Sequence, residues 1–178
     1  MGEPSEPAAV EIRREESGDA AAVRAVNEEA FGRANEADLV EALRRSGKVA
    51  LSLVAVEEGE IVGHVLFTAV TLGGAERRGG WAGLGPLAVR PEFQNRGIGS
   101  TLVTAGLEAC RRAGCEVVVV LGHPTYYRRF GFRPANQYSL QCEFAVPEDA
   151  FMVVELREGA LEGQTGVVRY QQPEFGFF

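Results

Sequence analysis

Histidine and cysteine are scarce in this chain of 178 residues: two of the first, His64 and His123, and three of the second, Cys110, Cys115 and Cys142. Two histidines with no Cys-x-x-Cys pair do not make a zinc centre, so no metal is expected. An odd number of cysteines is not a disulfide framework, and free thiols suit a reducing compartment. Positive charge is also short. Lys and Arg total 18 against 25 Asp and Glu, a formal net charge of -7. No nucleic-acid partner is expected, because a basic grip over the whole surface is missing, while a local groove for a phosphate-bearing ligand stays open. No apolar run approaches the roughly 18 residues of a membrane helix, so no membrane partner is expected. Residues 1–7 are acidic and lack a basic segment followed by an apolar one. The expectation is no signal peptide and a cytoplasmic protein.

What is present is an ordinary globular composition, 46% hydrophobic and 24% charged, enough for a core without staples. Residues 1–9, rich in Pro and Glu, are expected to fray, and 10–178 to form one domain. A strand is expected over 10–14. Asp19 is placed to cap a helix whose apolar positions Ala22, Val23, Val26, Ala30 and Phe31 recur at three- and four-residue spacing. Asn35 is placed to cap a second helix carrying Leu39, Val40 and Leu43, closed by Gly47. The period then shortens. Residues 50–57 and 61–72 read as a hairpin about Glu58-Gly59-Glu60. A fourth strand, 81–89, holds Gly85-Pro86 and must be bulged or splayed there, because proline removes a ladder donor. A long helix follows over 97–113, then the buried strand 117–121, a short helix 125–130, and strands from Phe132, over 151–156, and as an edge piece over 167–170. The order reads as a mixed α/β sheet with helices on both sides.

The most informative stretch is Leu87-Ala88-Val89-Arg90-Pro91-Glu92-Phe93-Gln94-Asn95-Arg96-Gly97-Ile98-Gly99-Ser100. A strand ends and a helix begins in glycines. Free N–H groups of a first helical turn and its positive dipole end make an anion nest, to which Arg90 and Arg96 can add charge. A plain tight turn is the competing reading. The stretch is not a Walker A loop, since no Gly-Lys-Ser/Thr follows, and it lacks the third glycine of a dinucleotide fingerprint.

Gln94-Asn95-Arg96-Gly97-Ile98-Gly99 between strand and helix resembles the acetyl-CoA motif Gln/Arg-x-x-Gly-x-Gly/Ala of the GNAT N-acetyltransferase superfamily. The later run Tyr126-Tyr127-Arg128-Arg129-Phe130-Gly131-Phe132 agrees, with Tyr127 ahead of Gly131-Phe132. Both motifs stand in order, and the likeness spans about residues 10–157. The run from Gly122 to Phe132 is similar to the YhbS-like subgroup. The resemblance implies a GNAT-like acyl-CoA N-acyltransferase fold: a mixed, mostly antiparallel sheet flanked by helices, with the parallel fourth and fifth strands splayed.

It further implies acetyl-CoA as cosubstrate and direct transfer of acetyl to an amine. Leu87, Ala88 and Val89 would hold the pantetheine arm, with an oxyanion donor near Leu87 or Ala88. The amides of Asn95, Arg96, Gly97, Ile98, Gly99 and Ser100 would cradle the pyrophosphate beside Gln94. His123, Tyr126, Tyr127 and Phe130 would border the cofactor, and Tyr127 matches the family's general acid. The fourth strand has no acidic residue, so a strand Glu is not the base here. Glu28 and Glu29 are the first candidates in its place, then Glu143 and Glu155. His123 stands where an Asn is frequent. His64, inside a hairpin strand, reads as structural, and Cys142 lacks an activating base. The loop 73–80 and the region 133–150, with Arg77, Arg78, Arg133 and Asn136, are expected to border the acceptor, a small-molecule or peptide amine. The acid balance leans toward a cationic amine or basic peptide, whereas Arg77, Arg78, Arg133 and Asn136 suit an acidic group instead. A CoA-binding sensor without turnover is the alternative reading. The end Phe175-Gly176-Phe177-Phe178 offers a homodimer surface or folds back on its own domain.

Overall fold

The computed structural model describes residues 9–73 and 80–171. The expectations for residues 1–8, the loop 74–79 with Arg77 and Arg78, and the tail 172–178 lie outside the described residues.

One mixed sheet forms the centre, in the order β1-β2-β3-β4-β5-β8-β6. Its strands are β1 (Glu11–Arg14), β2 (Val49–Glu57), β3 (Glu60–Leu72), β4 (Trp81–Val89), β5 (Val117–Leu121), β6 (Arg133–Pro134), β7 (Leu140–Cys142), β8 (Phe151–Glu155) and β9 (Gly166–Tyr170). The helices are α1 (Ala20–Phe31), α2 (Asn35–Arg45), α3 (Ile98–Arg112) and the single turn α4 (Pro124–Tyr127). The β2–β3 hairpin closes through Glu58 and Gly59, both at positive φ. A two-residue turn of that hand matches the twist of the strands it joins. All neighbours on the main path are antiparallel except β4 and β5.

Alternation along the strands sorts the core into layers. Val54, Leu66 and Ala88 face one side and pack with Val23 and Val26 of α1 and Val40 and Leu43 of α2. Leu53, Val65, Phe67 and Leu84 face the other side and pack with Leu102, Val103 and Leu107 of α3. The Phe67 ring lies so near α3 that a Cβ on Gly106 would stand 2.4 Å from it. β5 is apolar on both faces: Val118 and Val120 join the α3 layer, while Val117 and Val119 join a cluster with Phe151, Val153 and Val168.

A polar seam crosses the α1 layer. His64 is fully buried. Its Nδ1 accepts from the Asn27 side-chain amide at 3.1 Å, and its Nε2 meets Ser52 Oγ at 3.0 Å. Ser52 donates in turn to Glu15, which also pairs with Arg44. Burial lowers the His64 pKa to about 3, so the imidazole is neutral and structural.

Three local expectations are corrected. Asp19 does not cap α1; its carboxylate accepts from Glu16 N–H at 2.7 Å and pairs with Arg13, closing the preceding 3-10 turn. Asn35 is the first residue inside α2, which has no side-chain cap. β9 is not an edge piece, because it pairs with β3 on one side and with β7 on the other.

Candidate functional site

The site begins where the sheet opens. β4 and β5 pair in parallel from Trp81↔Val117 to Leu84↔Val120 and no further. At that point β4 is bulged: Val65 opposes Leu87 and Phe67 opposes Leu84, so Gly85 and Pro86 together face one residue of β3. Beyond the bulge β4 runs to Val89 without a strand on its β5 side among the described residues.

The pleat decides which backbone groups face that gap. Arg90 N–H donates to Val62 carbonyl at 2.9 Å, so residues 88 and 90 turn their peptide groups toward β3, and 87 and 89 turn theirs away. Gln94 Nε2 donates to the Val89 carbonyl at 2.9 Å, bridging the strand to the following loop. Leu87 and Val89 therefore turn their peptide groups toward the gap. Ala88 does not: it pairs with His64 in the register and its side chain is buried against α1. Of the two residues named for the oxyanion donor, only Leu87 turns its N–H toward the gap.

The nest follows. Asn95 and Gly97 both stand at positive φ, 63° and 81°, and Gly97 is the N-cap of α3. The first helical bond runs from Thr101 N–H to Gly97 carbonyl. The amides of Ile98, Gly99 and Ser100 consequently have no partner within the helix. They open into a cavity of about 730 Å³ lined also by Val89, Phe93, Gln94, Asn95, Thr125, Tyr126 and Arg129. A Cβ on Gly99 would stand 2.8 Å from the Tyr126 hydroxyl, so a side chain there must displace that ring's end. The cation at this cavity is Arg129, stacked over the Tyr126 ring at 4.4 Å. Arg90 and Arg96 do not line it; Arg90 binds Glu29 and the Ile61 carbonyl, and Arg96 lies 3.8 Å from Glu57.

A second cavity, of about 460 Å³, adjoins the first through Leu87 and Tyr126. Gly85 and Pro86 of the bulge, Leu121 at the end of β5, Gly122 and His123 after it, and Tyr127 form one wall. The Tyr127 ring packs edge-on against Tyr126 at 5.0 Å and Phe132 at 5.7 Å, directly over Gly122, where a Cβ would approach it to 2.4 Å. Burial raises the Tyr127 pKa, so its phenol is protonated. His123 is exposed and lines this cavity; its side chain caps nothing, while its carbonyl accepts from the Tyr126 and Tyr127 amides. Phe130 stands against Tyr126 at 5.5 Å and lines neither cavity.

The opposite wall comes from Phe31, Arg33, Asn35, Glu36 and Leu39 at the α1–α2 corner, with Thr68 and Tyr170. Sequence reading missed these residues, because only the tertiary fold brings that corner to the gap. Glu36 is the one acidic residue lining this cavity among the described residues, and the hydrogen bonds from Arg33 lower its pKa. Tyr170 packs on Gly83, and its buried hydroxyl has no partner among the described residues. Glu28 pairs with Arg24 at 2.7 Å and Glu29 with Arg90 at 3.1 Å, and neither lines a cavity. Glu143 accepts from Tyr170 N–H and Glu155 from Leu161 N–H. Arg133 and Asn136, like the rest of the region 133–150, line neither of these cavities, whereas the α1–α2 corner lines the second. Cys142 lines neither, and burial raises its thiol pKa, the wrong direction for a nucleophile.

The sequence model of the Acetyltransferase (GNAT) family matches residues 13–132. The chain is 38% identical over 162 residues, 90% of its length and 96% of the relative's, to the uncharacterized N-acetyltransferase YhbS of Escherichia coli (strain K12). The crystal structure of YhbS from Escherichia coli in complex with CoA superposes with a TM-score of 0.89 at 36% identity, covering 95% of this chain and 93% of that one. A GNAT family acetyltransferase from Brucella melitensis in complex with acetyl-CoA gives a TM-score of 0.77 at 38% identity, covering 91% and 96%.

Proposed function

The chain belongs to the GNAT acetyltransferase family, and from that premise we propose that it moves acetyl from acetyl-CoA directly to a primary amine. The observation that carries the reading is the gap past Leu84 and Val120, beyond which Leu87 and Val89 line one cavity with Ile98, Gly99 and Ser100. An extended pantetheine arm pairs with Leu87 and Val89 as an added strand would. The pyrophosphate takes the first turn of α3 and Arg129. The thioester then stands at the junction of the two cavities, beside Leu87 and Tyr127.

The chain's groups match three needs of the reaction. The amine attacks in its neutral form and forms the C–N bond. Leu87 N–H donates to the oxyanion of the tetrahedral intermediate. The C–S bond breaks, and the Tyr127 phenol donates to the departing sulfur. The proton lost by the attacking nitrogen restores the Tyr127 phenol, so amine and acetyl-CoA give amide and free CoA thiol.

Isothermal titration with acetyl-CoA, with NAD as control, followed by an amine screen for CoA thiol release, tests this. Saturable acetyl-CoA binding, no NAD response and amine-dependent thiol release are expected. Acetyl-CoA binding without release for any amine would favour the sensor reading, and no acyl-CoA binding would remove both.

A further inference from the structure

The second cavity carries almost no net charge. Among the described residues, its lining side chains with a permanent or carboxylate charge are Arg33 and Glu36, and these bond to each other. Most of the remaining wall is apolar, with Leu39, Leu84, Pro86 and Leu121 prominent. A second ammonium or a carboxylate brought in by a ligand would find the two full counter-charges, Glu36 and Arg33, already paired with each other, leaving chiefly neutral partners such as the Tyr170 hydroxyl.

Phe31 points the same way independently. At 39% it is the one large apolar side chain left exposed among the described residues, and it lines this cavity. It ends α1, where Gly32 turns the chain away in the left-handed conformation and leaves the ring outside the core. An exposed ring beside a concave apolar wall is a ligand contact in waiting.

We infer that the acceptor is a primary amine on a compact apolar body with no second charge, and that Phe31 contacts that body. The inference rests on the acetyl-transfer reading. It departs from the cationic amine or basic peptide that the acidic composition favours, because the charge of the whole surface is not repeated in the cavity. The same walls favour the neutral amine over its ammonium by desolvation, which suits a site whose single lining carboxylate is already tied to Arg33.

The test measures thiol release from acetyl-CoA with phenethylamine, spermidine and a lysine-containing peptide, using wild type and Phe31→Ser. Binding of phenethylamine to the CoA-loaded protein and of acetyl-CoA to the free protein are titrated in parallel. Phenethylamine should exceed the other two in kcat/KM by at least about tenfold, and Phe31→Ser should lower its kcat/KM by about tenfold, the scale of a lost apolar contact. Acetyl-CoA affinity should not change. Preference for spermidine or the peptide, or an unaltered Phe31→Ser, overturns the inference. Failure of phenethylamine to bind the CoA-loaded protein overturns it whatever acetyl-CoA does. Phe31-dependent binding without thiol release upholds the site and sinks the transfer reading instead.

Discussion

Two small residues set close contacts at the candidate site, Gly99 under the Tyr126 hydroxyl and Gly122 under the Tyr127 ring, and a third, Gly97, supplies the positive φ at the start of α3. Backbone amides rather than side chains form the nest, so substitutions there should divide sharply. Gly99→Val should weaken acetyl-CoA at least about tenfold in titration, since its branched side chain must displace Tyr126 or the α3 turn. Ser100→Ala should stay within about threefold, because the amide survives. Tyr127→Phe should lower kcat about 100-fold, the low end of an acid–base contribution, with acetyl-CoA affinity unchanged. An unchanged kcat in single-turnover thiol release would remove Tyr127 from the chemistry. These positions were legible in the sequence because they lie in two short motifs. Ala88 was not separable from Leu87 and Val89 until the register showed which way each peptide group turns. Arg129 and Glu36 were not legible as lining residues, since a surface charge carries no periodic signal of where its helix comes to rest.

Among the elements, the β2–β3 hairpin, α3 and the doubly apolar β5 were readable from period and turn chemistry alone. The bulge in β4 was readable from one dipeptide. The pairing of β9 between β3 and β7 was not, because a five-residue strand matches any register until its neighbours are known. The helix starts misled for a related reason: a capping residue type is also a good residue just inside a helix or in a 3-10 turn, as Asn35 and Asp19 show. The seat of α3 on β3 gives an element-scale prediction. Gly106→Val should destabilise by about 1–3 kcal/mol through overpacking on Phe67. Thermal unfolding should then shift down by about 2–4 °C per kcal/mol, while acetyl-CoA affinity of the folded protein is retained.

For the whole molecule, the buried His64 makes acid a stress. Its folded pKa is about 3, against about 6.5 for an unfolded histidine. The unfolded chain therefore binds more protons between those values, and stability falls as pH drops through that window. By pH 4.5 the loss from this group should be about 2–3 kcal/mol. Urea midpoints at pH 7.0 and 4.5 should diverge more for wild type than for His64→Gln; equal divergence would show that other groups dominate acid unfolding. The splayed strands have a consequence of another kind. In most sheets the unsatisfied ladder lies at the rim, where charge or a covering loop guards it. Here the ladder stops inside the sheet, so the stretch of β4 from Leu87 to Val89, where Gln94 engages the Val89 carbonyl, is a template for any extended chain that reaches it. A bound ligand arm would then double as a guard, leaving the empty protein as the form more open to strand-pairing aggregation.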